Sequence, residues 1–139
     1  MSAGFVVDAS VGVAWVLPSQ GSASTERLLS EVASGAAMVV PALWAFEVAN
    51  SLVILVRRKR LRPDLYARAR RALSRLKPVI DEDGLRIALT VTADLAVKHR
   101  LSVYDAAYLE LAMRRGLPLA SRDGAVNAAA ARCGIQTLI

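Results

Sequence analysis

The sequence predicts an α/β fold, a three-layer α/β/α sandwich around a central and mainly parallel sheet. Short apolar runs that are typical of buried strands alternate with longer amphipathic segments that are typical of helices. Such alternation favours a parallel sheet covered by helices on both faces. The chain has 139 residues, more than half of them apolar. This length and composition predict one domain over residues 1–139 with an aliphatic core.

Short apolar runs bounded by turn residues predict the strands. We expect strands at Gly4–Val7, Met38–Val40, Leu117–Ala120 and Ile135–Leu138, and either a short strand or a bend at Val79–Ile80. Pro118 lacks a backbone N–H, so it places its run at a strand start or at a sheet edge.

Apolar residues spaced three and four apart predict the helices. The predicted helices run over Ser10–Leu17, Ser24–Ser34, Pro41–Arg60, about Asp64–Leu76, the acidic run Asp81–Asp83 to His99, Ser102–Arg115, and Asp123–Arg132. Pro41 suits a first helical position, where its missing N–H costs little. Acids at 81–83 suit a helix N-terminus, because the helix dipole favours negative charge there.

Several classes of protein are disfavoured by composition. One cysteine, Cys133, and one histidine, His99, nearly exclude a zinc site of His and Cys ligands, and no nucleophile motif surrounds either residue. A lone cysteine also fits a reducing cytoplasm. The apolar segment 36–56 is long enough for a membrane span, but a central acid such as Glu47 costs roughly 2.5–3.5 kcal/mol on insertion. We therefore expect no membrane span, no signal peptide and a cytoplasmic location.

The net charge of +6 is concentrated in one stretch. Ten basic residues lie between Arg57 and Lys77, against the single acid Asp64. Helical spacing brings three of the arginines to one face: Arg68, Arg71 and Arg75. This face either attracts a polyanion or is an ordinary solvated face.

Four acids are predicted at the carboxyl ends of the strands, where ligands bind in parallel α/β sheets. Asp8 follows the first strand directly, and Asp123 follows the strand at 117–120. Asp105 lies in the first turn of a helix that runs antiparallel to the strands. Glu47 is predicted about two turns into the helix after the second strand. We expect all four side chains to converge.

Convergence has an electrostatic cost. Two carboxylates about 5 Å apart repel by roughly 3 kcal/mol at an effective dielectric near 20. A cluster of four therefore needs a cation or takes up protons. Carboxylate oxygens suit Mg²⁺ or Mn²⁺, and the cluster has room for one or two ions. Such a site would activate water for attack on a phosphate, without a protein nucleophile.

Each acid also has a simpler interpretation. Asp8 and Asp123 are good N-cap residues, and Asp105 would form a capping box with Ser102. Glu47 is harder to explain in this way because apolar residues surround it, and a glutamate there needs a partner.

Three polar residues are candidates for a supporting role beside the four acids. They are Ser10, whose hydroxyl would point to the site, Ser121, which would do likewise, and Asn50, which would hold the Glu47 carboxylate or a bound water. Ser10 and Ser121 have the alternative roles of helix cap and turn former.

Four segments resemble the acidic motifs of PIN domains, in the expected order and over nearly the whole chain. They are 6–11 (VVDASV, with Trp15 soon after), 40–50 (VPALWAFEVAN), 104–112 (YDAAYLELA) and 119–123 (LASRD). In the last motif, serine stands at position 121 where threonine is common. The length and the second motif are most similar to VapC-type toxins.

The resemblance implies Mg²⁺- or Mn²⁺-dependent endonucleolytic cleavage of RNA, often tRNA or ribosomal RNA. Asp8, Glu47, Asp105 and Asp123 would be the metal-binding acids. It also implies a homodimer and a VapB-like antitoxin that blocks the active-site groove. The basic helices would contact either the RNA backbone or acidic groups of the antitoxin. The alternatives are a non-toxin PIN nuclease in RNA processing and a catalytically idle PIN-like module that binds RNA or protein.

Overall fold

The computed structural model describes residues 4–139. Its sheet has four strands: β1 (Phe5–Val7), β2 (Met38–Pro41), β3 (Val79–Asp81) and β4 (Leu119–Ala120). The strands lie in the order β3-β2-β1-β4, and every pairing between them is parallel. Helices cover both faces of this sheet. The predicted α/β/α sandwich is therefore confirmed.

Within residues 4–139, seven α-helices connect and flank the strands. They are α1 (Ala9–Val16), α2 (Ala23–Ala33), α3 (Trp44–Arg57), α4 (Pro63–Ser74), α5 (Ala93–His99), α6 (Val103–Arg115) and α7 (Gly124–Arg132). In the described part of the chain, no helix is long and apolar enough to cross a membrane. The apolar segment 36–56 is divided between β2 and α3.

The core lies on the two central strands, β1 and β2, and on the edge strand β4. Every residue of these three strands is buried, as expected for strands covered on both faces. Helix α6 packs against β1 and β2 and contributes the fully buried Tyr108, Leu109 and Leu111. Because α6 is anchored in this way, its first turn is fixed at the carboxyl ends of the strands.

A close approach between α1 and α3 depends on Gly12. A Cβ atom at this position would lie 2.9 Å from Cζ2 of Trp44 and 3.5 Å from a methyl group of Val48. Only glycine therefore lets these two helices pack at this distance. The contact sets the start of α1 beside the start of α3.

The start of α3 differs from the sequence-based prediction. Pro41 is the last residue of β2, paired with Asp81, and the helix begins only at Trp44. A proline is tolerated at this strand end because the chain turns away and its missing N–H breaks no ladder. As a consequence, Glu47 lies in the first turn of α3 rather than two turns into the helix.

The prediction that one long helix begins at the acidic run 81–83 is also wrong. Asp81 ends β3, and its buried carboxylate accepts hydrogen bonds from Arg114 at 2.7 and 2.9 Å and from Arg115 at 3.0 Å. Arg114 also pairs with Glu110 at 2.7 Å. The single long helix predicted to follow is a 3-10 helix (Asp83–Ile87), a π-helical turn (Ala88–Thr92) and α5. An ion-pair network therefore joins β3 to α6, and the same Asp81 carboxylate also accepts the backbone N–H of Gly84, in the 3-10 helix, at 3.0 Å.

The C-terminal segment is less regular than predicted. The expected strand at 135–138 is reduced to one bridge, in which Thr137 pairs with Leu119 of β4. Proline at 118 did not prevent β4 from forming, since this proline precedes the strand.

Replacing Asp81 with asparagine should destabilise the protein by about 1–2 kcal/mol at neutral pH, since charged hydrogen bonds are removed but Arg114 stays partly solvated. Arg114 holds the pKa of Asp81 at about 2, below its ordinary value of 3.8. The stabilisation is therefore complete above about pH 4–5 and is lost as the pH falls towards 2. Urea unfolding of wild type and D81N across this range should show the difference narrowing with acid. The exposed pair of Arg62 and Asp64 offers a control, because D64N should change stability by less than about 0.5 kcal/mol. A pH-independent effect of D81N would contradict this account.

Candidate active site

The four predicted acids lie at the carboxyl ends of the parallel strands. Asp8 follows β1, and its backbone N–H donates to the carbonyl of Ala120 in β4 at 2.9 Å. Glu47 and Asp105 lie in the first turns of α3 and α6, and Asp123 is the N-cap of α7 directly after β4. Residues that are far apart in sequence are thereby brought to one end of the sheet.

Two serines hold the buried carboxylate of Asp8. The hydroxyls of Ser10 and Ser121 both donate to Asp8 Oδ2, at 2.6 and 2.9 Å. Each serine oxygen in turn accepts a backbone N–H, from Arg122 for Ser10 and from Asp123 for Ser121, both at 3.0 Å. The hydroxyl protons are thereby directed at Asp8. Asp8 occupies the N-cap position of α1, but its side chain makes no capping hydrogen bond.

The Glu47 carboxylate is held by a residue that the sequence did not single out. The hydroxyl of Tyr108 donates to Glu47 Oε1 at 2.7 Å. Burial, followed by the hydrogen bond to Glu47 and its charge, raises the pKa of Tyr108, so the phenol keeps its proton. Asn50 is exposed and shares a depression with Glu47, but no hydrogen bond joins the two within residues 4–139. The expected direct support from Asn50 is absent there.

Asp105 and Asp123 both lie at helix N-termini, in the first turn of α6 and at the N-cap of α7. Asp123 Oδ1 accepts hydrogen bonds from the N–H groups of Ala125 and Val126, at 2.9 and 3.1 Å, so it does cap α7. Ser102 caps α6 by accepting the Asp105 N–H at 3.0 Å. No hydrogen bond from the described residues reaches the second oxygen of Asp123.

Burial and mutual repulsion act on three of the acids in the same direction. Burial raises the pKa of Asp8, although its two serine partners partly offset this effect. Burial also raises the pKa of Glu47, with further contributions from the charges of Asp8 and Asp105. The pKa of Asp105 is raised by burial and by the charges of Asp123 and Asp8. The carboxylates are therefore close enough to disfavour one another's charged forms.

The described residues supply no cation to this cluster. Within residues 4–139, none of the four acids forms an ion pair with a lysine, arginine or histidine, despite the excess of basic residues. Asp81 ends a neighbouring strand and binds two arginines, and its pKa is lowered. The pKa of Asp81 is therefore lowered because it has cationic partners. The pKa values of the buried or half-buried acids of the cluster are raised by burial, because they have no such partner among the described residues.

The donor set suits a hard divalent cation. Asp8, Glu47 and Asp123 each have one carboxylate oxygen held by protein donors and one oxygen outside those hydrogen bonds. Among the residues that the structure describes, no three Asp, Glu, His or Cys side chains are grouped tightly enough to enclose an ion as they stand. Mg²⁺ binds through one or two carboxylates and keeps several waters, so it needs no such cage.

A basic surface lies on α4. Arg68 and Arg71 are exposed on this helix, and Arg75 is exposed at its C-cap. Arg71 also borders an apolar groove of about 470 Å³ between α3 and α4, whose lining includes Trp44 and Leu52. The predicted arginine face is therefore open to a partner.

Comparison with known proteins places this chain in one family. Residues 5–131 match the PIN domain family. The chain belongs to the PIN-domain family. This PIN domain is 34% identical over 118 residues to Ribonuclease VapC3 of Pyrobaculum aerophilum, covering 85% of this chain and 88% of that protein. The resemblance to VapC-type proteins that the motifs indicated is confirmed.

Two crystal structures share the PIN fold. PAE2754 from Pyrobaculum aerophilum superposes with a TM-score of 0.67 and 23% identity, covering 99% of this chain and 92% of that one. FitAcB from Neisseria gonorrhoeae gives a TM-score of 0.65 and 16% identity, covering 97% and 96% of the respective chains. At these identities the likeness concerns the fold alone.

Sequence reasoning missed Tyr108 as part of the PIN-domain site. A usable signal was present: Tyr108 lies three residues after Asp105, which puts both side chains on one face of a helix. A phenol among buried apolar residues also needs a hydrogen-bond partner. The partner itself, Glu47 on another helix, depends on tertiary packing.

Replacing Asp105 with asparagine should raise the melting temperature of the protein in EDTA by roughly 2–3 °C, because the substitution removes a carboxylate whose charge is disfavoured by burial and repulsion. The folded-state pKa is raised, so protonation favours the folded wild type. The advantage of D105N should therefore shrink as the pH falls towards that pKa. Thermal melts at several pH values check this, with the exposed Asp83 as control: D83N should show no such gain. A lower melting temperature for D105N at neutral pH would refute the assigned electrostatics.

Proposed function

We propose that the protein is a divalent-metal-dependent endoribonuclease and the toxin of a type II toxin–antitoxin pair. The metal-binding and catalytic acids are Asp8, Glu47, Asp105 and Asp123, and the metal is Mg²⁺ or Mn²⁺. We further propose that residues 1–139 form a single PIN domain that acts in the cytoplasm. Similarity to a ribonuclease of the VapC type supports the activity.

One observation carries the metal assignment. Three of the four acids have raised pKa values, and no protein cation pairs with any of the four within residues 4–139. The same chain provides two arginines for Asp81. A divalent ion is the partner that would make the charged forms of the four acids favourable.

In this mechanism, hydroxyl side chains position the carboxylates that would bind the metal. Ser10 and Ser121 fix Asp8 through Oδ2 and leave Oδ1 for the ion, while Tyr108 fixes Glu47 through Oε1. A divalent ion held there would supply a water of lowered pKa and positive charge for the scissile phosphate. His99 is hydrogen-bonded to Cys133 and Arg132, and within the described residues it makes no hydrogen bond to any of the four acids. The proposed mechanism therefore uses no histidine base.

RNA would approach over the basic surface. Arg68, Arg71 and Arg75 are exposed and would neutralise backbone phosphates, which positions RNA without reading its sequence. We assign these arginines to RNA, with tRNA or ribosomal RNA as the substrate class.

A VapB-like antitoxin is the proposed protein partner. The groove between α3 and α4 combines an apolar floor, which includes Trp44, with Arg70 and Arg71 at its edge. The indole N–H of Trp44 is buried without a hydrogen-bond partner in the described part of the chain. An antitoxin segment with apolar and acidic side chains would complement this groove and prevent RNA from reaching the acids.

We also propose a homodimer. An apolar face beside Glu47 includes Phe46 (81% exposed), Tyr104 (63%) and Leu85 (70%). Two depressions that share Leu43 and Tyr104 connect these side chains, and Glu47 borders one of them. A second copy on this face would cover its apolar surface and set two sites side by side.

Purified protein should cleave RNA with Mg²⁺ and stop on addition of EDTA. Asp8→Asn should lower the cleavage rate by more than about 100-fold, because loss of a partner of a metal ligand already costs 10–100-fold. The sharpest measurement is mapping of RNA 5′ ends after brief induction in cells, for wild type and D8N. New ends should appear with wild type only.

The matched control is D64N, which changes an exposed acid on α4. It should cleave as wild type does. Equal cleavage by D8N, after contaminating nuclease has been removed, would refute the site. Two results would support the nuclease activity and refute the role as a toxin. One is RNA cleavage without growth arrest, and the other is growth arrest that no neighbouring antitoxin gene rescues.

Neutralising Arg68, Arg71 and Arg75 to glutamine should weaken RNA binding and flatten its salt dependence. The slope of log K against log salt should fall by about 0.7 for each phosphate that the variant no longer neutralises. Fluorescence anisotropy with a labelled tRNA, in the D8N background, measures it. K98Q on α5 serves as the control. An unchanged slope together with weaker antitoxin binding would assign these arginines to the antitoxin instead.

A further inference from the structure

Tyr108 connects two of the elements that carry the acids. Its ring belongs to α6 and is fully buried, one helical turn after Asp105. Its hydroxyl donates to Glu47 Oε1 of α3 at 2.7 Å. One side chain thus links Glu47 to the helix that carries Asp105.

The Tyr108 hydrogen bond restricts a side chain that has little other support. Glu47 is half-buried, and within residues 4–139 no other donor reaches its carboxylate. A glutamate has three rotatable side-chain bonds, so without this contact its carboxylate would sample several rotamers. The bond occupies Oε1 and leaves Oε2 without a protein donor.

We propose that Tyr108 is a positioning residue for the divalent ion, whose buried hydroxyl holds Glu47 so that its second oxygen is ready to bind the metal. This inference rests on the proposed function, since it requires Glu47 to be a metal ligand. Partners that orient metal-binding carboxylates typically contribute 10–100-fold to metal affinity or activity.

A purely structural role makes a different prediction. If the hydroxyl only stabilised the packing of α3 against α6, its removal would lower the melting temperature of the metal-free protein and leave metal affinity unchanged. If it positions Glu47, removal should weaken metal binding, with little change in the metal-free melt. Because Glu47 is half-exposed, water can replace the missing hydrogen bond.

The test is Tyr108→Phe, which keeps the buried ring and removes only the hydroxyl. Titration calorimetry with Mn²⁺ alone, in the absence of RNA, should give an affinity about 10–100-fold weaker than that of wild type. At saturating Mn²⁺ the KM for RNA should be unchanged. The control is Tyr66→Phe, on α4, whose ring lies under Arg70 at 4.9 Å and should keep that contact. The control should bind Mn²⁺ as wild type does.

A second measurement leaves Tyr108 in place. The chain has three tyrosines, so replacing Tyr66 and Tyr104 with phenylalanine and incorporating 3-fluorotyrosine gives one ¹⁹F resonance, from Tyr108. Mg²⁺ should shift this resonance with the midpoint of Mg²⁺ binding. This measurement decides the question even if Y108F does not fold.

The outcomes separate this inference from the proposed function. Equal Mn²⁺ affinity for wild type and Y108F, or a ¹⁹F resonance that Mg²⁺ saturation does not move, would overturn the role of Tyr108 and leave the nuclease standing. Absence of Mn²⁺ binding by wild type would overturn both. Weakened affinity with an unchanged metal-free melt would support the positioning role.

Discussion

The arrangement at the sheet end depends on one electrostatic constraint: carboxylates are brought together and wholly or partly buried, and no lysine, arginine or histidine within residues 4–139 forms an ion pair with them. Burial and neighbouring charges raise the pKa values of Asp8, Glu47 and Asp105. Asp81 ends the outer strand of the same sheet, and hydrogen bonds from Arg114 lower its pKa. The fold therefore pairs Asp81 with arginines and gives the other three acids no such partner within residues 4–139, as expected for a functional site that costs stability.

The backbone places these acids, and polar side chains orient them. Asp8 is fixed by the sheet through its N–H bond to Ala120, while Gly12 lets α1 approach α3 and so brings Glu47 near. Hydroxyl donors then hold one oxygen of two carboxylates, Ser10 and Ser121 for Asp8 and Tyr108 for Glu47. Hydroxyls satisfy a buried carboxylate without cancelling its charge, which preserves the attraction for a divalent ion.

The sequence predicted the sandwich and the position of the four acids at one end of the sheet because both follow from local signals. Buried strands are short apolar runs, and acids that follow such strands share one end of a parallel sheet. The sequence-based predictions failed where long-range contacts determine the local structure. Pro41 was expected to open a helix but ends β2, and Asp81 was expected at a helix N-terminus but ends β3 and pairs with Arg114. The bond between Tyr108 and Glu47 joins residues 61 positions apart, so no local pattern encodes it.

The most direct test of a cation-dependent carboxylate cluster is anomalous diffraction from crystals grown with Mn²⁺. The account predicts an anomalous peak among the four acids, bonded to Asp8 Oδ1 and at least one further carboxylate oxygen at about 2.0–2.3 Å. Crystals that hold Mn²⁺ elsewhere on the surface, with the acids splayed apart and no peak between them, would contradict it.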